Sequence, residues 1–148
     1  MSRNQLPALL AAALCAVAPA ATAVELTDLK HVPAIHGTYA PGGDCKRTPR
    51  IEVDAGGMRF EIDGKAITSG RMEQILTYAG PDYDGISLWF FPFVEPGPNA
   101  HPILMTFNDS EIRGRLGISP YDAGYKGGPP LKARDKALVD GSPYAPCR

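Results

Sequence analysis

Three of the residues with catalytic or ligating potential are histidines: His31, His36 and His101. A zinc set would need a Cys or acidic partner at suitable spacing beside them, and none follows. Surface or turn histidines are the reading their context favours. Asp82-x-Asp84-Gly85 has the opening of a calcium loop but lacks the third acid and the distant glutamate that complete one, so loop solvation is favoured. Ser69, Ser87, Ser110 and Ser119 have no histidine beside them in sequence, and Gly-x-Ser-x-Gly, His-Glu-x-x-His, a Gly-rich phosphate loop and Cys-x-x-Cys are all missing. A non-enzymatic protein with no cofactor and no metal is the expectation. Tyrosines offer more: Tyr78 and Tyr83 flank one loop, while Tyr121, Tyr125 and Tyr144 lie near the C-terminus. Loop tyrosines anchor protein or sugar partners. Covering the ends of the fold is their alternative role.

Composition narrows the class. Arg3, an apolar stretch over residues 6–17 and the Ala21-Thr22-Ala23 cleavage pattern read as a signal peptide over residues 1–23. The apolar run is too short to span a bilayer as a stable helix. Leu14 before Cys15 is too large for lipoprotein processing, so the expected product begins at Val24, in the periplasm or secreted. Removing the segment takes away one base and no acid, so the net charge of −1 becomes −2. A chain so near neutrality has no electrostatic case for nucleic acid or an anionic membrane surface. Two cysteines remain, Cys45 and Cys147, and an even pair in an exported chain is read as a disulfide. Two free thiols, or thiols joined to other chains, are the alternatives.

The elements that would position these residues are short strands. Residues 85–94 hold the only tryptophan and three of the five phenylalanines. Alternation sets Ile86, Leu88 and Phe90 on one face and Trp89, Phe91 and Phe93 on the other, a strand covered on both sides. Pro92 should end its ladder near Phe91. Residues 50–54 and 58–62 alternate around Gly56-Gly57, and Asp63-Gly64 is a second hairpin turn. Further strands are expected over residues 36–40, around Ile67 and Thr68, over 72–78, over 103–107, and over 111–118 with Ile112, Leu116 and Ile118 inward. The fold class is all-β: one antiparallel meander over residues 24–119 closing into a small barrel or sandwich. Residues 120–148 form a Gly/Pro-rich strap with one short helix over 131–139, the whole of 24–148 being a single β-domain.

A small exported β-protein carrying Ser69-Gly70 resembles the periplasmic lysozyme inhibitors, compact antiparallel domains that insert a loop into a lysozyme's cleft. Where that family has a tyrosine soon after the glycine, this chain continues Arg71-Met72-Glu73. The resemblance implies a lysozyme or other cell-wall hydrolase as partner. It assigns Ser69, Gly70 and Arg71 to the contact, the guanidinium suiting a catalytic carboxylate. Tyr83 joins these as a loop anchor. The rival readings are a barrel carrying a small apolar ligand, its aromatic strand lining a cavity, and a structural envelope protein without a discrete site.

Overall fold

The computed structural model describes residues 23–97, 99–121 and 130–148. Of the signal-peptide reading over residues 1–23, residues 1–22 lie outside the described residues, as does Tyr125 of the strap, while Ala23 is the first residue of a strand. Among the described residues ten strands form one antiparallel sheet that curls into a half-barrel, in the order β1-β6-β7-β8-β9-β10-β2-β3-β4-β5. They are β1 Ala23–Leu26, β2 Gly37–Pro41, β3 Arg50–Asp54, β4 Gly57–Ile62, β5 Lys65–Thr68, β6 Met72–Ile75, β7 Leu88–Phe91, β8 Ile103–Phe107, β9 Leu116–Pro120 and β10 Tyr144–Pro146.

The β3–β4–β5 hairpins follow local chemistry closely. Ile51, Val53, Met58, Phe60 and Ile62 point into the core. Outside, Arg50 faces Glu61 and Glu52 faces Arg59 across the ladder, two opposite-charge pairs on a solvated face. The first turn falls on Ala55-Gly56, one residue earlier than the glycine pair suggests, because Gly57 pairs with Asp54. Asp54 Oδ1 accepts the Gly56 and Gly57 amides at 2.7 and 3.2 Å. At the second turn Asp63 and Gly64 both adopt positive φ, 51° and 75°, as a two-residue hairpin of matching twist requires.

The β7 ladder ends at Phe91, ahead of Pro92. Phe90 points inward and meets Phe107 edge-to-face at 5.6 Å, while Trp89 and Phe91 face out. Phe93 does not stay with them. Beyond Pro92 the alternation is broken, and Phe93 joins the inner core against Phe60, 4.9 Å away. The expected strand over 111–118 is also displaced. Asn108, Ser110 and Glu111 have left-handed φ (51°, 56° and 61°) and Gly114 has φ 77°, so the chain loops until β9 begins at Leu116. Ile112 is consequently 51% exposed and not inward.

Two segments close the half-barrel. Residues 27–36 carry Leu29 and Ile35 into the core, anchored by Leu29 N–H to Ala55 O at 3.0 Å. Helix α1, Ala133–Asp140, lies against β4 and β9 and buries Leu138. Its Arg134 sits 3.7 Å over the Phe93 ring and donates to Glu95 at 2.8 Å. The strap is therefore helical where expected, and Cys45–Cys147 ties its end to the loop after β2 across a Cα separation of 5.3 Å.

Candidate functional site

Beyond β6, β7 and β8 at one end of the sheet, residues 76–87 and 108–115 form two connected loops. Glu111 joins them. Its Oε1 accepts from the Tyr83 hydroxyl, and its Oε2 accepts the Ile86 amide at 2.7 Å. Ser87 Oγ lies 2.8 Å from the same Oε1 and 2.7 Å from Asn108 O, sharing its single proton between them. Asn108 completes the lock, donating to Ile86 O at 3.0 Å and accepting Gly114 N–H at 3.0 Å. These hydrogen bonds, the Tyr83 phenol's first, hold the Glu111 carboxyl down at about 2, although the group is exposed. Three non-glycine residues with positive φ in one loop persist only where the surroundings over-determine them, and this network does so. Gly85 is needed for it: a Cβ there would lie 2.3 Å from the Tyr83 hydroxyl.

Tyr83 also stands edge-on to Trp89, 5.0 Å between centroids, with Tyr78 5.3 Å away on the same indole. The locked loops carry Leu76, Tyr78 and Ile112, which are 57%, 49% and 51% exposed. Ile112 stands within the locked segment between Asn108 and Gly114, and the Tyr78 ring packs on Trp89. The arrangement suits docking to a surface, since it offers apolar anchors.

The outer face of β6–β8 continues toward the other end. Ile75, Phe91 and Leu104 make a second small cluster, with Trp89 and Val94 packed on it. His101 stacks on Phe91 at 3.9 Å, edge-on to Tyr121, and its Nε2 lies 3.0 Å from Glu73 Oε2. Arg71 reaches Glu25 at 2.8 Å and Glu73 at 3.3 Å. Glu25 and Glu73 are direct partners on β1 and β6, so Arg71 neutralises two like charges facing each other.

The proposed contact residues therefore separate. Ser69, Gly70 and Arg71 form the corner between β5 and β6, whereas Tyr83 lies beyond the far end of β6. Ser69 Oγ donates to Met58 O at 3.1 Å and accepts Met58 N–H at 3.3 Å, extending the β4–β5 ladder. It borders a surface cleft of about 190 Å³ with Glu52, Asp54, Arg59 and Thr68. Gly70 is exposed with open space around it. Tyr83 belongs to the loop lock, directing its hydroxyl to the Glu111 carboxylate. Glu111, Leu76 and Ile112 were not apparent from sequence. The clue was Asn108 and Gly114, both tolerant of positive φ, which mark residues 108–114 as loop. His31 bonds Gln74 at 2.9 Å and His36 bonds Leu29 O at 3.0 Å, so the histidines are dispersed. Among the described residues no group of three or more His, Cys, Asp or Glu is placed to hold a metal ion.

Comparison with known proteins finds no matching family model, no matching curated protein and no matching solved structure. The functional reading consequently rests on the site.

Proposed function

We propose that this is an exported, non-enzymatic binding protein that docks a protein partner through the loops over residues 76–87 and 108–115. The observation that carries the reading is the exposure of Leu76, Tyr78 and Ile112 on loops locked together through Glu111. Pre-ordered apolar anchors lose little entropy on binding, and such anchors dominate interface energies. Loops on a rigid sheet are the usual place for them. A carrier of apolar ligands is less well supported. The inward rings of Tyr39 and Phe90 each pack edge-to-face on Phe107 at 5.6 Å, and all three belong to the buried core.

For the partner class we propose a cell-wall-degrading enzyme, on the leader-like N-terminus, the disulfide and the size and β class that the lysozyme inhibitors share with this chain, with the contact on the locked loops in place of Ser69, Gly70 and Arg71. A cell-wall lysis assay tests it, with the chain from Val24 to Arg148 titrated against lysozymes of different types. Dose-dependent inhibition of one type is expected. Leu76→Asp with Ile112→Asp should then weaken inhibition about 30-fold or more, the loss of a roughly 2 kcal/mol anchor, while Arg71→Lys leaves it intact. Loss with Arg71→Lys alone would move the site to the β5–β6 corner. No inhibition of any type would remove the hydrolase partner.

A further inference from the structure

We infer that β10 is an exchangeable strand, locked in its own chain by the Cys45–Cys147 bond, and that opening this bond lets the groove between β2 and β9 take β10 of a second copy of the protein. The sheet order shows why this strand matters. β2–β5 is one meander, β6–β9 is another, and β10 is the strand hydrogen-bonded between them. Its hold is short. Tyr144, Ala145 and Pro146 pair with Pro41, Ala40 and Tyr39 on β2, but only Tyr144 pairs with β9, opposite Leu116. Prolines at two of those positions cannot donate to the ladder.

The groove nevertheless fits this segment in particular. A Cβ at Gly43 would lie 2.9 Å from Pro146 O, and one at Gly114 would lie 3.1 Å from Pro146 Cγ, so two glycines make room for the proline. Tyr144 is 1% exposed, its hydroxyl donating to Leu138 O at 2.7 Å. Beyond the strand, Cys147 N–H donates to Thr38 O at 2.8 Å. An identical strand from another molecule reproduces every one of these contacts. Only the connection differs: three residues, 141–143, separate α1 from β10, and short hinges favour exchange over refolding in place. The disulfide removes the choice by fixing Cys147 to its own Cys45. A dithiol reductant restores it, giving two electrons and two protons to leave Cys45 and Cys147 as thiols and becoming a disulfide itself.

The test uses two variants of the chain from Val24, Cys45→Ser and Cys147→Ser, mixed in equal amounts at high protein concentration. Oxidised glutathione accepts two electrons and two protons from a pair of thiols and becomes two glutathione molecules. A bond between Cys147 of one variant and Cys45 of the other joins different chains in the native pairing. Random collision would yield the mixed dimer at twice each homodimer. Exchange predicts a mixed dimer about tenfold or more above either, because a seated strand holds the two sulfurs together. Tyr144→Ala in the variant that keeps Cys147 should return the ratio to the random one. A random ratio without that substitution overturns the inference, as does an excess that survives it. Loss of near-ultraviolet circular dichroism in the single variants would overturn it too, since the groove requires a folded remainder.

Discussion

Replacing Tyr144 by phenylalanine removes one oxygen from one of the most enclosed places in the protein. The hydroxyl donates to Leu138 O at 2.7 Å, and Tyr144 and Leu138 are 1% and 0% exposed. Leu138 belongs to the last turn of α1, where carbonyls lack helical partners. Gly141 N–H serves Ala137 O and Ser142 N–H serves Val139 O, which leaves Leu138 O to the phenol. Tyr144→Phe keeps the ring and strands a buried carbonyl, a change worth about 1–3 kcal/mol. For a domain of this size the melting temperature should fall by about 5–10 °C. In urea the midpoint should drop by about 1 M with the slope unchanged. Alkaline pH supplies an independent arm. Burial, then the Asp140 charge, raises the Tyr144 phenol above the ordinary 10.0, and burial raises that of Tyr39 likewise. The unfolded chain releases these protons first, so the stability they confer is present below about pH 10 and lost as pH rises further. Tyr144→Phe should flatten that alkaline loss, leaving the part due to Tyr39. An unfolding free energy within about 0.5 kcal/mol of the parent, or an unaltered alkaline slope, would refute the reasoning.

Other perturbations follow from the same contacts. Arg71→Ala leaves Glu25 opposite Glu73, a like-charge pair costing about 0.2–1 kcal/mol, and should speed amide exchange along Val24–Leu26, with Arg71→Lys intermediate; unchanged exchange there would show that β1 does not depend on the bridge. Glu111→Gln should accelerate exchange at Ile86 and Ser87. Because the Glu111 carboxyl is held at about 2, below its ordinary 4.5, the parent loop lock should be fully stabilised above about pH 4.5 and lose that stability progressively as pH falls through about 2; exchange at Ile86 and Ser87 that Glu111→Gln accelerates equally at about pH 6 and about pH 2 would contradict this. Reduction of Cys45–Cys147, which are 102 residues apart, should lower stability by up to about 4–5 kcal/mol in the chain-entropy account, and a loss below about 1 kcal/mol in urea would reject that account here.

Much of the fold is readable from local pattern. The alternation of Ile51, Val53, Met58, Phe60 and Ile62 sets β3 and β4, and Asp63-Gly64 supplies a turn that few other pairs could make. Pro92 predicts the end of β7, and residues 131–139 predict α1 to within two residues at its start. The failures have a common cause. Ala23–Leu26 and Tyr144–Pro146 are too short and too poorly patterned to announce strands, and each is stabilised by a partner distant in sequence. Phe93 and Ile112 continue an apparent alternation past Pro92 and before Gly114, where the backbone has already turned, so each ends on the face opposite to the one expected. In the candidate site, Tyr83 was visible as a loop aromatic, but its hydroxyl points toward Glu111, 28 residues away in the chain.

The sequence by itself determined the all-β class, the hairpins and the aromatic strand, because period-two alternation and turn residues act between near neighbours. The pairing of Cys45 with Cys147 was the expectation once Cys15 was assigned to a leader, and the structure forms that bond. Tertiary structure decided that β10 would join two meanders, that Arg71 would bridge Glu25 and Glu73, and that one carboxylate would bind two loops together. Those outcomes depend on the register and curl of the whole sheet, through which residues far apart in the chain meet at one end of a half-barrel.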